Sequence, residues 1–469
     1  MRRKIFFRAD GNTEIGMGHV IRSLALADML KEDFECLFVT RFLTPFIEKE
    51  ARQSCSEIIK LPESDAHFNE FLSLLKGDEI VVLDNYFFTT EYQKAIKEIG
   101  CKLVCIDDIH DKHFVADVVI NHAGGFNRQL YSTSPHTALY TGTEYALLRA
   151  AFLSRKEKQG TDLMISMGGA DANNNILKIL KIVENKEEIQ SCYVVIGDAY
   201  KYEKELDEYC KKTQLNLHIL KNLDMEEMAN LMLKCSCAIL PPSTISYEYL
   251  SLAGGELYIH KTADNQKDLY HFFCASKLAF DLSELFIKDK NLIQESIDNQ
   301  KKIFDGKSKE RLRSVFSKLE KEQTLTLRKA NINDLDLYFE WANDPEERKN
   351  AVNTEIISYK NHCSWFSKKI EANDAYLWIL EQENAPIGQI RFDIENGVAT
   401  LSYFIDERYR EQGFGLAIVK LGIENLTKKN DNIVIRAVAK KINIASCKIF
   451  ECLNFQRKEI NHVFFEYVK

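Results

Sequence analysis

Two stretches of this chain combine glycine, histidine, hydroxyl and carboxylate side chains in patterns suited to anion binding and proton transfer. The first begins Arg8-Ala9-Asp10, runs through a turn containing Gly11, Gly16 and Gly18, and reaches His19 and Arg22. A glycine-rich turn between a strand and a helix lets the backbone approach a ligand closely and aims helix amides at anionic groups. The glycine spacing is not the dinucleotide fingerprint. A histidine at a helix head sits where the helix field opposes added positive charge, which suits a general base. Asp10 is expected to orient that histidine or to bind a ligand hydroxyl. Taken alone, a single histidine is more often structural.

The same logic reaches three further segments. Leu163 to Asp171 reads as a strand, then Gly168-Gly169, then Asp171 before a helix, where the plain reading is a helix cap. Ser243-Thr244-Ile245-Ser246-Tyr247-Glu248 opens another helix, with hydroxyls and amides that suit a diphosphate and a carboxylate one turn on that suits ribose hydroxyls. Near the other end, Arg410-Glu411-Gln412-Gly413-Phe414-Gly415-Leu416 has the form R-x-x-G-x-G at a helix start, an anion nest fit for a pyrophosphate. It is followed by Asn443, Ser446 and Phe450 at helical spacing. His110 and His113 beside Asp107 and Asp108 mimic a metal cluster, but they read as a polar loop without a third ligand, and no metal is expected.

These segments need elements to hold them. Short apolar runs at Ile5 to Ala9, Cys36 to Thr40, Ile80 to Asp84, Leu103 to Asp107 and Val118 to Asn121 alternate with helical patterns. A second set follows at Leu163 to Gly168, Cys192 to Gly197, Leu217 to Leu220, Cys237 to Leu240 and Glu256 to His260. This alternation is the mark of doubly wound α/β domains, whose ligands sit at the carboxyl ends of the strands. Residues 300 to 322 place Leu312, Val315, Phe316 and Leu319 at helical spacing, as in a helix docked on the preceding domain. From Thr324 the pattern turns α+β. The predicted domains are 1–148, 149–322 and 323–469.

Composition bounds the function. At 469 residues the chain needs more than one core. A net charge of −8 argues against nucleic acid as a partner. Twelve scattered cysteines with no CxxC fit a reduced, cytoplasmic protein. The apolar run after Met1 ends at Arg8, too early for a signal peptide, and no segment suits a membrane span.

The first stretch, with Leu83-Asp84-Asn85-Tyr86, Ile106-Asp107-Asp108-Ile109, Ala116 to Asn121 and Tyr145 to Phe152, resembles the UDP-sugar hydrolases of pseudaminic acid biosynthesis, relatives of GT-B glycosyltransferases. The resemblance implies two Rossmann-like domains in a GT-B arrangement and His19 as the base that activates water. It implies a UDP-sugar site at Gly16, Gly18, Arg22, Tyr86, Gly168, Gly169, Asp171, Ser243, Thr244, Ser246, Glu248, Asn265 and Gln266. The family usually has a glycine before its Ser/Thr pair, where this chain has Pro241-Pro242.

The last 147 residues, read with the R-x-x-G-x-G turn and the Asn443 to Phe450 pattern, resemble the GNAT N-acetyltransferases. That likeness implies acetyl-CoA held by Phe404, Ile405, Arg410, Gln412, Gly413, Phe414, Gly415, Leu416, Asn443, Ser446 and Phe450, with Trp341, His362 and Arg391 on the acceptor side. Many such enzymes have tyrosine where Phe450 stands, and phenylalanine has no proton to give. The joint expectation is a bifunctional enzyme that N-acetylates a UDP-linked 4-amino sugar and then hydrolyses UDP from the product. The alternatives are a related hydrolase or glycosyltransferase acting on a different sugar, or a C-terminal module that binds acetyl-CoA without chemistry.

Overall fold

A computed structural model describes the chain except residues 1, 13–14, 155, 185, 187–188, 253, 264–265, 288 and 431–432, and the side chain at 323. Its backbone is organised on three large sheets. The first has seven strands, in the spatial order Glu57–Lys60, Glu35–Thr40, Lys4–Ala9, Ile80–Asp84, Lys102–Ile106, Val118–Asn121 and Ala138–Thr141. All of its pairings are parallel. Its strands are unbroken apolar runs because helices cover both faces. The edge strand Glu57–Lys60 escapes the sequence pattern because only Ile58 and Ile59 in it are apolar.

The second sheet is also parallel, in the order Leu217–Lys221, Cys192–Ile196, Leu163–Ser166, Cys237–Leu240, Glu256–Ile259 and Phe280–Asp281. The final two-residue strand is too short to announce itself in sequence. In each parallel sheet the order reverses beside the first strand. That reversal opens the crevice where α/β folds bind ligands.

The third sheet runs Leu325–Lys329, Ala375–Gln382, Ala385–Glu395, Val398–Ile405, Val434–Lys440, Phe464–Val468 and Gln456–Glu459. Only Val398–Ile405 and Val434–Lys440 pair in parallel, and their register covers Val398–Leu401 against Val434–Ala437. Beyond Leu401 the two strands part. The edge strand Gln456–Glu459 is wholly exposed and polar, so the sequence carried no hydrophobic signal for it.

The helix Ser308–Gln323 corrects one expectation. Leu312, Val315, Phe316 and Leu319 are buried as their spacing predicts. Yet the helix returns to the first domain rather than docking only on the second. Phe316 meets Phe34 edge-on at 6.3 Å, and Arg313 pairs with Asp33 at 2.7 Å. The end of this helix is buried in a charge cluster that joins the first sheet to the third domain. Glu322 binds Lys102 at 3.2 Å and Lys420 at 2.9 Å, and Lys102 also binds Asp117 at 3.2 Å. Lys420 lies on the helix Phe414–Thr427.

Burial pushes the Glu322 carboxyl up, but Lys420 and Lys102 more than offset it and hold it below the usual glutamate value. A carboxyl depressed by folding stabilises the native state above its unfolded value, and that contribution fades as pH falls through the folded value. Stability at this junction is therefore expected to decline as pH drops below about 4.3. Glu322→Gln removes one partner of buried cations and is expected to cost about 3–5 kcal/mol. Scanning calorimetry should find its first transition lowered at pH 7, with a weaker acid dependence than wild type.

Candidate functional site

At the crevice of the first sheet, three strand ends deliver carboxylates. Ala9 pairs with Asp84 across the two central strands. Between them enters the helix Gly18–Leu30. Its cap residue, Met17, has no side-chain oxygen for the first-turn amides, which leaves them available to a ligand anion. Gly16 adopts φ +83°, and a Cβ on it would meet nothing within 4 Å. The turn is closed by Gly16 N–H donating to the Asn12 carbonyl at 2.9 Å.

His19 is the histidine of this turn, and its Nδ1 lies 2.7 Å from Asp84 Oδ1. The same nitrogen lies 3.2 Å from Arg22 Nη2, a donor, but the carboxylate is closer and can only accept, so in the neutral ring Nδ1 carries the proton and Nε2 keeps its lone pair. Asp84 is fully buried and also accepts from Arg22 Nε at 2.8 Å, Arg22 Nη2 at 2.6 Å and Ser23 Oγ at 3.1 Å. Burial raises the Asp84 carboxyl, but Arg22 and His19 bring it below the usual range. Arg22 continues to Asp108 at 2.8 Å, and Asp108 accepts from the Tyr86 hydroxyl at 2.8 Å. Asp108 is held at about 2, where burial opposes and the Arg22 charge prevails. The Tyr86 ring stands edge-on to His19 at 4.7 Å. Thus His19, Arg22 and Tyr86 lie together around two carboxylates, Asp84 and Asp108, which the sequence reading named only within motifs and gave no role in this site. The available signal was an acidic residue just past the end of a buried parallel strand.

Asp10 is the first correction. It does not contact His19. Arg8 grips both of its oxygens at 2.7 and 2.9 Å, and Arg41 and Thr40 add further bonds. Asp10 ties the ends of the strands Lys4–Ala9 and Glu35–Thr40 together, and Asp84 holds the histidine.

In the second domain several expected ligand groups have protein partners instead. Asp171 accepts from the amides of Asn175 and Ile176, so it caps the helix Asn175–Val183. Ser246 Oγ donates to the Pro241 carbonyl at 2.8 Å. Both oxygens of Glu248 are taken by Arg149, at 2.7 and 2.9 Å. Gln266 Oε1 accepts from Thr262 N–H at 2.8 Å, closing a turn. Asn265 lies outside the described residues. What remains open to a ligand is the half-buried Ser243-Thr244 helix head and the Gly168-Gly169 turn, where a Cβ on Gly168 would meet nothing within 4 Å. A cavity of about 250 Å³ lies between Lys261, Thr262, Ala263 and Lys267, so its rim carries two ammonium groups. In the loop 107–113, Asp107 accepts from His110 N–H at 2.7 Å and His113 Nδ1 meets Ser132 Oγ at 2.8 Å.

The third domain builds a second site. Gly413 caps the helix Phe414–Thr427 at φ +89°, a left-handed conformation that favours glycine. A Cβ there would lie 2.9 Å from Lys318 Cγ, so the helix Ser308–Gln323 lies over this turn. The Arg410 side chain is spent on the Ile405 carbonyl at 3.0 Å and on Asp344 at 2.8 Å, and Gln412 reaches the Arg408 carbonyl at 3.2 Å. The turn therefore offers backbone rather than these side chains. Phe404, Phe414 and Leu416 are core, and a Cβ added at Gly415 would lie 3.6 Å from Tyr403 Cε2. Beside it, the backbone of Ser402 to Ile405 lies beyond the last pairing with Val434–Lys440, which forms the expected gap. Asn443 Oδ1 accepts from Ser446 N–H at 3.1 Å and caps the helix Ile444–Cys452.

Three further expected site residues are buried. Phe450 is core, packed on Phe455 and Tyr467 at 5.4 and 5.0 Å. His362 is buried, with Nε2 3.0 Å from the Leu335 carbonyl, and burial lowers its pKa. Trp341 is core and donates to Asp406 at 3.2 Å. Arg391 stays half-buried over Trp365 at 5.1 Å and pairs with Asp393 at 2.8 Å. Glu347, on the short helix Pro345–Asn350, is half-buried, and burial raises its carboxyl against the pull of Arg348.

Comparison with known proteins bears on both halves. The profile described as an acetyltransferase (GNAT) domain matches residues 324–456. An uncharacterised protein of Methanocaldococcus jannaschii is 26% identical over 490 aligned positions, 97% of either chain. The spore coat polysaccharide biosynthesis protein SpsG of Bacillus subtilis is 27% identical over 299 positions, 61% of this chain and 85% of its own. The UDP-2,4-diacetamido-2,4,6-trideoxy-beta-L-altropyranose hydrolase of Campylobacter jejuni is 27% identical over 258 positions, 53% of this chain and 88% of its own.

The His19–Asp84 contact makes a spectroscopic prediction. In the neutral ring, nitrogen NMR should find the His19 proton on Nδ1. Asp84→Ala is expected to redistribute it between the two nitrogens, and a wild-type signal with the proton on Nε2 would contradict the geometry.

Proposed function

From a chain that carries a GNAT domain in its C-terminal region and resembles UDP-sugar hydrolases in its N-terminal part, we propose a bifunctional nucleotide-sugar enzyme. The first 322 residues form two Rossmann-like domains in GT-B arrangement, spanning 1–148 and 149–322, and the acetyltransferase spans 323–469. The C-terminal unit acetylates the 4-amine of a UDP-linked 4-amino-4,6-dideoxy-N-acetyl-altrosamine with acetyl-CoA. The N-terminal unit then releases UDP from the diacetamido product, the sugar named for the Campylobacter relative. The observation that carries this reading is the His19–Asp84 pair at 2.7 Å, set beside an open glycine turn at a strand-order reversal.

The hydrolytic step divides among these residues. A water between His19 and the anomeric carbon gives its proton to Nε2 as its oxygen forms the new bond. Asp84, ionised and gripped by Arg22, stabilises the imidazolium that results. The carbon–oxygen bond to the diphosphate breaks, and the negative charge on the departing UDP falls on backbone amides at the Ser243-Thr244 and Gly168-Gly169 turns. Tyr86, hydrogen-bonded to Asp108, walls the space beside the imidazole. No metal enters this scheme. The free cysteines suit a reducing cytoplasm.

For acetyl transfer, the amides after Gly413 hold the coenzyme A pyrophosphate, and the gap after Leu401 takes the pantetheine arm. The amine proton passes to a base on the acceptor side, for which half-buried Glu347 and the buried His362 are the candidates.

An NMR time course with the UDP-4-amino sugar and acetyl-CoA tests the scheme. Amide formation should precede UDP release. His19→Ala should slow UDP release by about a hundredfold or more and leave acetylation intact. UDP release at the wild-type rate would sink the role of His19. Gly413→Val strains a left-handed residue and strikes Lys318, so calorimetry should find coenzyme A binding weakened at least about tenfold, with UDP release from the pre-acetylated sugar unchanged.

A further inference from the structure

Acetyl transfer leaves a thiolate that must gain a proton, and the position where related enzymes keep a tyrosine holds Phe450. The structure supplies a hydroxyl pair elsewhere. Tyr403 Oη and Ser446 Oγ lie 2.9 Å apart. They come from different elements: Tyr403 from the strand Val398–Ile405, past the point where its parallel partner leaves it, and Ser446 from the first turn of the helix Ile444–Cys452. The Tyr403 ring bridges the two features of the proposed coenzyme site. On one side a Cβ added at Gly415 of the pyrophosphate turn would lie 3.6 Å from its Cε2, and on the other it stands edge-on to Phe450 at 6.3 Å. Phe450 is thus turned away among Phe455 and Tyr467 while a different phenol stands beside the gap.

We propose that Tyr403 and Ser446 form the proton-delivery pair that neutralises the departing coenzyme A thiolate. The proposal rests on the acetyltransfer reading given above. The amine nitrogen forms its bond to the acetyl carbon, and the tetrahedral adduct collapses with cleavage of the carbon–sulfur bond. The thiolate takes the Ser446 hydroxyl proton as Ser446 takes the Tyr403 proton. The phenolate is reprotonated from solvent, which also receives, by way of the base, the proton lost from nitrogen. Atoms and charge balance with acetyl-CoA and the amine as the only reactants. Burial keeps the Tyr403 phenol at about 12, so it is loaded with its proton throughout the working pH range.

The pair also has the chemistry to be a relay rather than two independent donors. A serine hydroxyl is a weak acid, and a phenol behind it supplies the proton that serine lends. This explains a tyrosine in the splay of two strands, where an aliphatic residue would fill the same space without an internal hydrogen bond.

The test uses the full chain, acetyl-CoA and the UDP-4-amino sugar, with thiol release as the readout and melting temperature as the folding control. Tyr403→Phe keeps the ring, and Ser446→Ala removes a single oxygen. Each should lower kcat about a hundredfold, with KM for acetyl-CoA changed by less than about twofold. UDP release from the pre-acetylated sugar should not change. Because the two act as one unit, the double variant should be no slower than the slower single variant. Wild-type kcat in Tyr403→Phe, or losses that multiply in the double variant, would overturn the pair. A wild-type chain that frees no thiol in the presence of the amine would instead overturn the acetyltransfer reading, and the pair with it.

Discussion

The N-terminal site depends on one buried carboxylate. Asp84 ends a central strand in a place without water, where an unpaired charge would cost several kcal/mol. It is paid for by four donors: the His19 ring, two guanidinium nitrogens of Arg22 and the Ser23 hydroxyl. Three of those residues lie on the first turns of the helix Gly18–Leu30. The carboxylate therefore fixes the helix head against the sheet, and with it the glycine turn that precedes the helix. Arg22 then exports this order to Asp108 and Tyr86. The register that sets Ala9 opposite Asp84 is what makes the arrangement possible.

The C-terminal site uses different means for a similar end. There the turn leaves backbone groups rather than side chains on offer, because Arg410 and Gln412 are tied to nearby carbonyls. Shape comes from a strand pair that stays in register through Leu401 and then opens. Tyr403 stands where it opens, which joins the anion turn to the helix bearing Ser446.

Much of this was legible from residues alone. Buried parallel strands advertise themselves as apolar runs, and glycine turns at helix heads mark both candidate anion sites. The side chains around those turns were less readable, for physical reasons. Asp10 and Asp84 both follow apolar strands, and only the three-dimensional position of Arg8 decides that Asp10 is neutralised locally. Asp171, Ser246 and Gln266 carry hydrogen-bonding groups that can serve a ligand or a turn equally well, and here each bonds its own backbone. Glu347 and Tyr403 belong to no sequence pattern. Their environment arises from contacts between elements far apart in the chain. The edge strands Glu57–Lys60 and Gln456–Glu459 had too little apolar character to be seen.

The charge cluster around Glu322 bears on how this protein could have been assembled. Lys102, Glu322 and Lys420 come from three separate parts of the chain and share one dehydrated spot. A junction of that kind is a common wall, with neither side complete without the other. Gene fission just after Glu322 would leave the Lys420 ammonium of the acetyltransferase without its carboxylate, while Lys102 would keep Glu322 and Asp117, and an acetyltransferase borrowed from another protein would arrive without the matching lysine. The two units are bound to drift together, so their order in the chain is an architectural commitment and not a matter of convenience.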